Sequence, residues 1–160
     1  MLSGKLYGLT LATLAASALS LTSANAWAGD CPPDKIGTNV TKPGPMAPSG
    51  VTDTVIGSID LGPLGSGFQG RAMRMRKLVV QPGGVVPWHS HAARPANIYV
   101  VSGSITEYRS SCSVPIEHAS GDVTSEFGPF SHWWRNNGQE PAVLISADML
   151  PPAMKPDESM

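Results

Sequence analysis

The chain has 160 residues, a formal net charge of −1 and only 14% charged residues. That length fits one domain and excludes two of ordinary size. So balanced a charge gives no general pull toward nucleic acid or an anionic membrane surface, and neither is expected as a partner.

Taken in order, residues 1–28 read as a secretory signal peptide. Lys5 gives a positive start, Leu9 to Leu21 is an apolar run, and Ala24-Asn25-Ala26 or Ala26-Trp27-Ala28 supplies a small-x-small cleavage pattern. The run is short for a membrane-spanning helix of about 20 residues, so no stable membrane insertion is expected once the signal is removed. The mature protein is expected to be secreted or periplasmic. No arginine pair precedes the run, which points to unfolded export and to metal loading outside the cytoplasm. Residues 29–50 are rich in Pro, Gly, Thr and Lys without periodicity and predict an extended arm. Residues 151–160, with Pro151, Pro152 and Pro156 among polar residues, predict a disordered tail.

Between them, residues 51–150 predict strands. The first is Val51 to Leu61, followed by a Gly-Pro-Leu-Gly-Ser-Gly loop. A second, Arg71 to Gln81, is closed by Pro82-Gly83-Gly84, and its Arg71, Arg74, Arg76 and Lys77 read as a solvated face. Val85 to His91, Ala96 to Val101, Ser104 to Arg109 and the region of Val114 to His118 follow, then a turn at Ser120-Gly121-Asp122. Phe130 to Asn136 and Ala142 to Met149 are the last two, joined by a turn at Asn136-Asn137-Gly138. Short strands at intervals of about ten residues, without helical periodicity, indicate an all-β sandwich or small barrel.

Period two along a strand sends His89 and His91 to one face and Trp88 and Ser90 to the other. Two imidazoles a strand step apart can hold one metal ion, and His132 is the candidate third ligand. Trp134 shares parity with His132 and should line the same pocket, whereas Trp133 should face outward with Trp88. Arg94, in the loop after His91, is either a bidentate contact to a ligand carboxylate or an ordinary surface arginine. Glu107 and Glu126 are the acidic residues nearest in sequence; either is a late-arriving ligand or general base, with no motif behind it. His118 is set aside as a surface histidine. Cys31 and Cys112 are an even count in an oxidising compartment, which favours a disulfide over a share in a metal site. Such a bridge would pin the arm to the barrel.

Gly83, His89, His91 and Gly103 fit the first motif of the cupin family, G-x5-H-x-H with a following glutamate and glycine. Gly121, His132 and Asn136 fall in register with its second motif. The chain resembles that family over roughly Arg71 to Met149, which implies a jelly-roll barrel, also called a double-stranded β-helix. It departs from the pattern at Phe127 and Pro129, and above all at Ala96, which stands where the family has its glutamate ligand. The resemblance therefore implies either a three-histidine site or a degenerate cupin without metal. The expected cofactor is one divalent transition metal, zinc or copper as isolated, with iron, manganese or nickel open as the working metal. Three neutral imidazoles leave the metal charge uncompensated, so a small anionic molecule is the expected partner. The expected function is a secreted metal-binding cupin acting as a dioxygenase, lyase or isomerase on a small oxygen-rich substrate. The alternatives are a non-catalytic binding module of the cell envelope, or a structural protein. Outward Trp88 and Trp133 suggest a homodimer.

Overall fold

The computed structural model describes residues 29–152, so the expected signal peptide and residues 153–160 of the expected tail lie outside it. Eight strands form one curled antiparallel sheet: β1 (Ser49–Asp60), β2 (Ala72–Ser90), β3 (Ala96–Ser102), β4 (Ser104–Arg109), β5 (Ile116–Ala119), β6 (Val123–Glu126), β7 (Ser131–Arg135) and β8 (Ala142–Leu150). Their spatial order is β5-β4-β7-β2-β8-β3-β6, with β1 added to β2. This is the all-β jelly-roll class. Among the described residues no helix is long and apolar enough to cross a membrane.

Four expectations are corrected. Pro82-Gly83-Gly84 does not end a strand: β2 runs through it, and the bend lets one strand change partners. Residues 72–80 pair with β8 and most of β1, whereas 85–90 pair with β7. Gly83 has φ 77°, and a Cβ on Gly84 would lie 2.8 Å from the carbonyl oxygens of Gln81 and Gly50, so the bend needs both glycines. The Asn136-Asn137-Gly138 turn does not make a hairpin, because β2 lies between β7 and β8. β6 was not expected at all.

The fourth correction concerns the arginines. Along β2, Ala72, Arg74, Arg76, Leu78 and Val80 are buried while Met73, Met75 and Lys77 are exposed. The alternation was legible, but the charged residues took the inside. They can do so because Asp148 stands beside them: Arg74 Nε and Nη2 donate to its two carboxylate oxygens at 3.1 and 2.9 Å. Arg76 Nη1 meets Asp53 Oδ2 at 2.6 Å.

Inside the barrel the strand register sets up rows. Leu78, Leu144 and Val100 face one another across β2, β8 and β3, with Val80 and Ala142 beside them. Val86, Ile105 and Trp134 complete this apolar cluster. Two further rows, Arg76-Ser146-Ile98-Thr124 and Arg74-Asp148-Ala96-Glu126, lead to the other end.

Residues before β1 run along the turn after β4. Cys31 and Cys112 are bridged, with Cα atoms 5.8 Å apart. Gly37 and Val40 donate backbone hydrogen bonds to Ser111 and Ser110, and Ile36 pairs with Cys112. The arm then crosses Trp133, whose ring lies against Gly44 and stacks on Tyr108 at 4.1 Å, and Trp88 N donates to Pro45 O. Both tryptophans are half-buried under the chain's own arm, which removes the reason for expecting a dimer through them.

Candidate metal centre

The site grows from one register fact: on the sheet, His89 of β2 stands directly opposite His132 of β7. His91, one residue past the end of β2, returns to the same face. His89 Nε2 lies 2.9 Å from His91 Nε2 and 3.2 Å from His132 Nε2. The opposite nitrogen of each ring is anchored on an oxygen. His89 Nδ1 donates to Pro87 O at 2.7 Å, His91 Nδ1 to Arg94 O at 2.7 Å, and His132 Nδ1 to Glu107 Oε1 at 2.5 Å.

These anchors decide the chemistry. A neutral imidazole that donates through Nδ1 carries a lone pair on Nε2. Three lone pairs therefore converge on one point. Burial, and then the neighbouring His132, push His89 down to about 2 and His91 down to about 3, so both rings stay neutral across the physiological range. Facing lone pairs do not bond to each other; they suit a cation, and the donor set fits a divalent transition metal.

Glu107 is the buried carboxylate behind His132, a residue the two motifs did not mark. It also meets His118 Nε2 at 3.1 Å and takes Arg109 Nε and Nη2 at 2.7 and 2.9 Å. Burial alone would raise its pKa, but hydrogen bonds from His118 and His132, with Arg109, hold it well below the usual carboxylate range. A permanent carboxylate at Nδ1 fixes the ring and raises the basicity of Nε2. Trp134 Nε1 also lies 3.2 Å from His132 Nδ1, but a nitrogen whose hydrogen points at Glu107 has no in-plane lone pair left, so this contact is packing.

His118 is corrected from surface to core. It is fully buried and stacked on Trp134 at 4.5 Å between ring centroids. The signal for it was present, since Ile116 and His118 share strand parity.

Glu126 reaches the site from β6. Its Oε2 lies 3.0 Å from His91 Nε2, and its Oε1 lies 3.5 Å from His132 Nδ1 without a hydrogen bond of its own. Burial raises it to about 7, so near neutrality a share of it is protonated and donates to His91 Nε2.

Of the two expected ligand-binding residues, Trp134 lines the cavity beside His89 and His91, with Arg76, Ser146 and apolar Leu78, Val86, Ile98 and Leu144 around it. Arg94 does not reach it. Its side chain is buried and Nη1 donates to Asp148 Oδ2 at 2.9 Å, so the carboxylate it meets is the chain's own. The cavity leaves about 20 Å³ for water-sized groups, room for one or two small atoms beside a metal.

Residues 76–148 match the cupin domain family. Among solved structures, the cupin domain of Cnp3 from Schizosaccharomyces pombe superposes with a TM-score of 0.52 at 9% identity, covering 64% of this chain and 66% of that one. A protein with a double-stranded β-helix domain from Klebsiella pneumoniae superposes at 0.50 with 16% identity, covering 68% and 82%. At these identities the likeness is one of fold. No curated protein matches the sequence.

Proposed function

This chain carries a cupin domain at residues 76–148, and on that premise we propose that it is an exported metal-dependent cupin enzyme acting on a small anionic, oxygen-rich molecule. The observation that carries the proposal is the convergence of three imidazole Nε2 atoms, 2.9 and 3.2 Å from the central one, each ring anchored through Nδ1. His89, His91 and His132 would hold the metal, and Glu107 would keep His132 in the ligating tautomer. A bound divalent ion supplies Lewis acidity toward a carbonyl or enolate oxygen.

An anionic ligand is supported by the charges beside the cavity. Arg74, Arg76 and Arg94 gather at Asp53 and Asp148, and of the three Arg76 is the one that reaches the cavity. Arg76 lines the cavity and its buried Nε makes no hydrogen bond. A buried donor without a partner is costly, and a ligand oxygen would relieve it. Arg76 therefore takes over the role first expected of Arg94. Export is supported by the Cys31–Cys112 bridge.

The test is elemental analysis of protein prepared from its native compartment, followed by calorimetry with oxalate and with neutral oxamide, and an oxygen-uptake and product screen over small keto acids and catechols. About one metal per chain is expected, with oxalate bound at least tenfold more tightly than oxamide. Protein that takes up no divalent metal would overturn the reading. Metal and oxalate binding without turnover of any compound would instead favour the envelope binding module. Dimerisation remains a proposal on a different face: Ile56, Ile59, Met73 and Met75 are exposed together on the outer side of β1 and β2. Light scattering should show a dimer that Met73→Lys dissociates.

A further inference from the structure

The family's glutamate ligand has not been lost from this chain; we infer that it has moved to the neighbouring strand, and that Glu126 of β6 is the carboxylate ligand of the centre. The inference rests on the three-histidine reading above.

Three observations carry it. First, Ala96 and Glu126 are direct partners in the β3·β6 ladder. Residues opposite one another on antiparallel strands project to the same side, with Cβ atoms about 5 Å apart, so a carboxylate from either position is delivered to the same space. The Ala96 methyl leaves that space open. Second, Glu126 Oε2 already lies 3.0 Å from His91 Nε2. That is a separation suited to two donors on one small ion, whose own bonds are about 2.0–2.2 Å long. Third, Glu126 is 1% exposed, and its Oε1 is buried without a hydrogen bond. A buried carboxylate oxygen without a donor, beside converging imidazole nitrogens, suits a cation.

Glu107 does not compete for the role. Its two oxygens are taken by His118, His132 and Arg109. One carboxylate orients a ligand and the other is a ligand, and they come from different strands. An adjacent pair of changes, glutamate to alanine on β3 and gain of glutamate on β6, would keep the donor set while altering the wall of the cavity. Restoring Glu at position 96 would then be redundant and crowded rather than corrective.

The experiment is a zinc titration against a chromophoric chelator on the full mature chain, with thermal melts of the chelated proteins as a check on folding. The parent should bind one zinc. Glu126→Gln, which keeps the shape, should bind at least about tenfold more weakly. The exchanged protein, Ala96→Glu with Glu126→Ala, should recover to within about tenfold of the parent, while Ala96→Glu alone should gain nothing. Equal affinity of Glu126→Gln and the parent overturns the inference and leaves the three-histidine site in place. An exchanged protein that folds but binds no better than Glu126→Ala overturns the equivalence of the two strand positions. A parent that binds no zinc overturns the underlying site instead.

Discussion

The two ends of the barrel interior are built from the same strands with the same alternation, and they are chemically opposite. At one end Leu78, Val80, Val86, Val100, Ile105 and Leu144 pack together. At the other, a few residues further along β2, β3 and β8, the inward positions are Arg74, Arg76, Ala96, Ser146 and Asp148, meeting Glu126, His89, His91 and His132. Each buried aliphatic side chain contributes about 1.5–3 kcal/mol. Buried ion pairs roughly break even at best, because desolvation offsets their attraction. The apolar end therefore holds the barrel and carries the polar end, which is kept for what it binds. The arm and its disulfide lie along the turn after β4, beside the polar end. A bridge closing a loop of sequence separation 81 adds about 4 kcal/mol in the chain-entropy model.

This contrast is most directly broken at Asp148. Asp148→Ala removes the carboxylate that Arg74, Arg76 and Arg94 share, and should destabilise the protein by about 3–5 kcal/mol in urea denaturation. A loss below about 1 kcal/mol would mean that the cluster is hydrated and not part of a dry interior. At the apolar end, Ile105→Ala, at a buried position outside the cavity lining, should cost about 2–5 kcal/mol through a cavity, while metal stoichiometry stays unchanged. Reduced stoichiometry in a folded Ile105→Ala would show that the two ends are coupled.

The polar end also sets the pH response. His89 and His91 have folded pKa values far below 6.5, so the stability they contribute is present above pH 6.5 and is lost as pH falls toward about 3 and about 2. Glu126 is raised from 4.5 to about 7, so its contribution is present below pH 4.5 and lost as pH rises to about 7. Between pH 4.5 and 6.5 the two histidines outweigh the one carboxyl by a net proton, about 1.4 kcal/mol per pH unit at most. Below 4.5 Glu126 no longer opposes them, and Glu107, held low, adds to the loss. Chelated protein should melt highest near pH 6–7, and a melting temperature that rises on acidification would reverse the assignment of neutral rings. The smallest change in stability is expected for His91→Ala, within about 1 kcal/mol of the chelated parent, together with loss of metal retention. Thermal melting in chelator and a zinc titration separate the two effects.

Much of this was legible in the chain itself. The alternation in His-Ser-His and in His-Trp-Trp placed His89, His91, His132 and Trp134 on inward faces, and motif spacing named the family. The two cysteines are joined as expected. The side chains that were misplaced share one reason: polarity was taken as a guide to exposure. Arg74, Arg76 and His118 were assigned to solvent, yet each has a buried carboxylate within reach, and Arg94, expected at a ligand or at the surface, meets Asp148. Their partners are distant in sequence, except that His118 and Glu107 sit on neighbouring strands.

The sequence by itself determined which side chains share a face, because alternation is a local property of an extended backbone. It also indicated an all-β chain, since the alternation runs without helical periodicity, although β2 continues through the break at Pro82-Gly83-Gly84. Only the tertiary structure decided which inward residues meet. Pairing of β3 with β6 sets Glu126 opposite Ala96, and pairing of β2 with β8 sets Asp148 opposite Arg74. Register is a non-local quantity, selected by the summed burial and hydrogen bonding of whole strands, and a slip of one residue would send every one of these groups to the other face. The charge of a side chain therefore left its burial open until its partner across the sheet was in place.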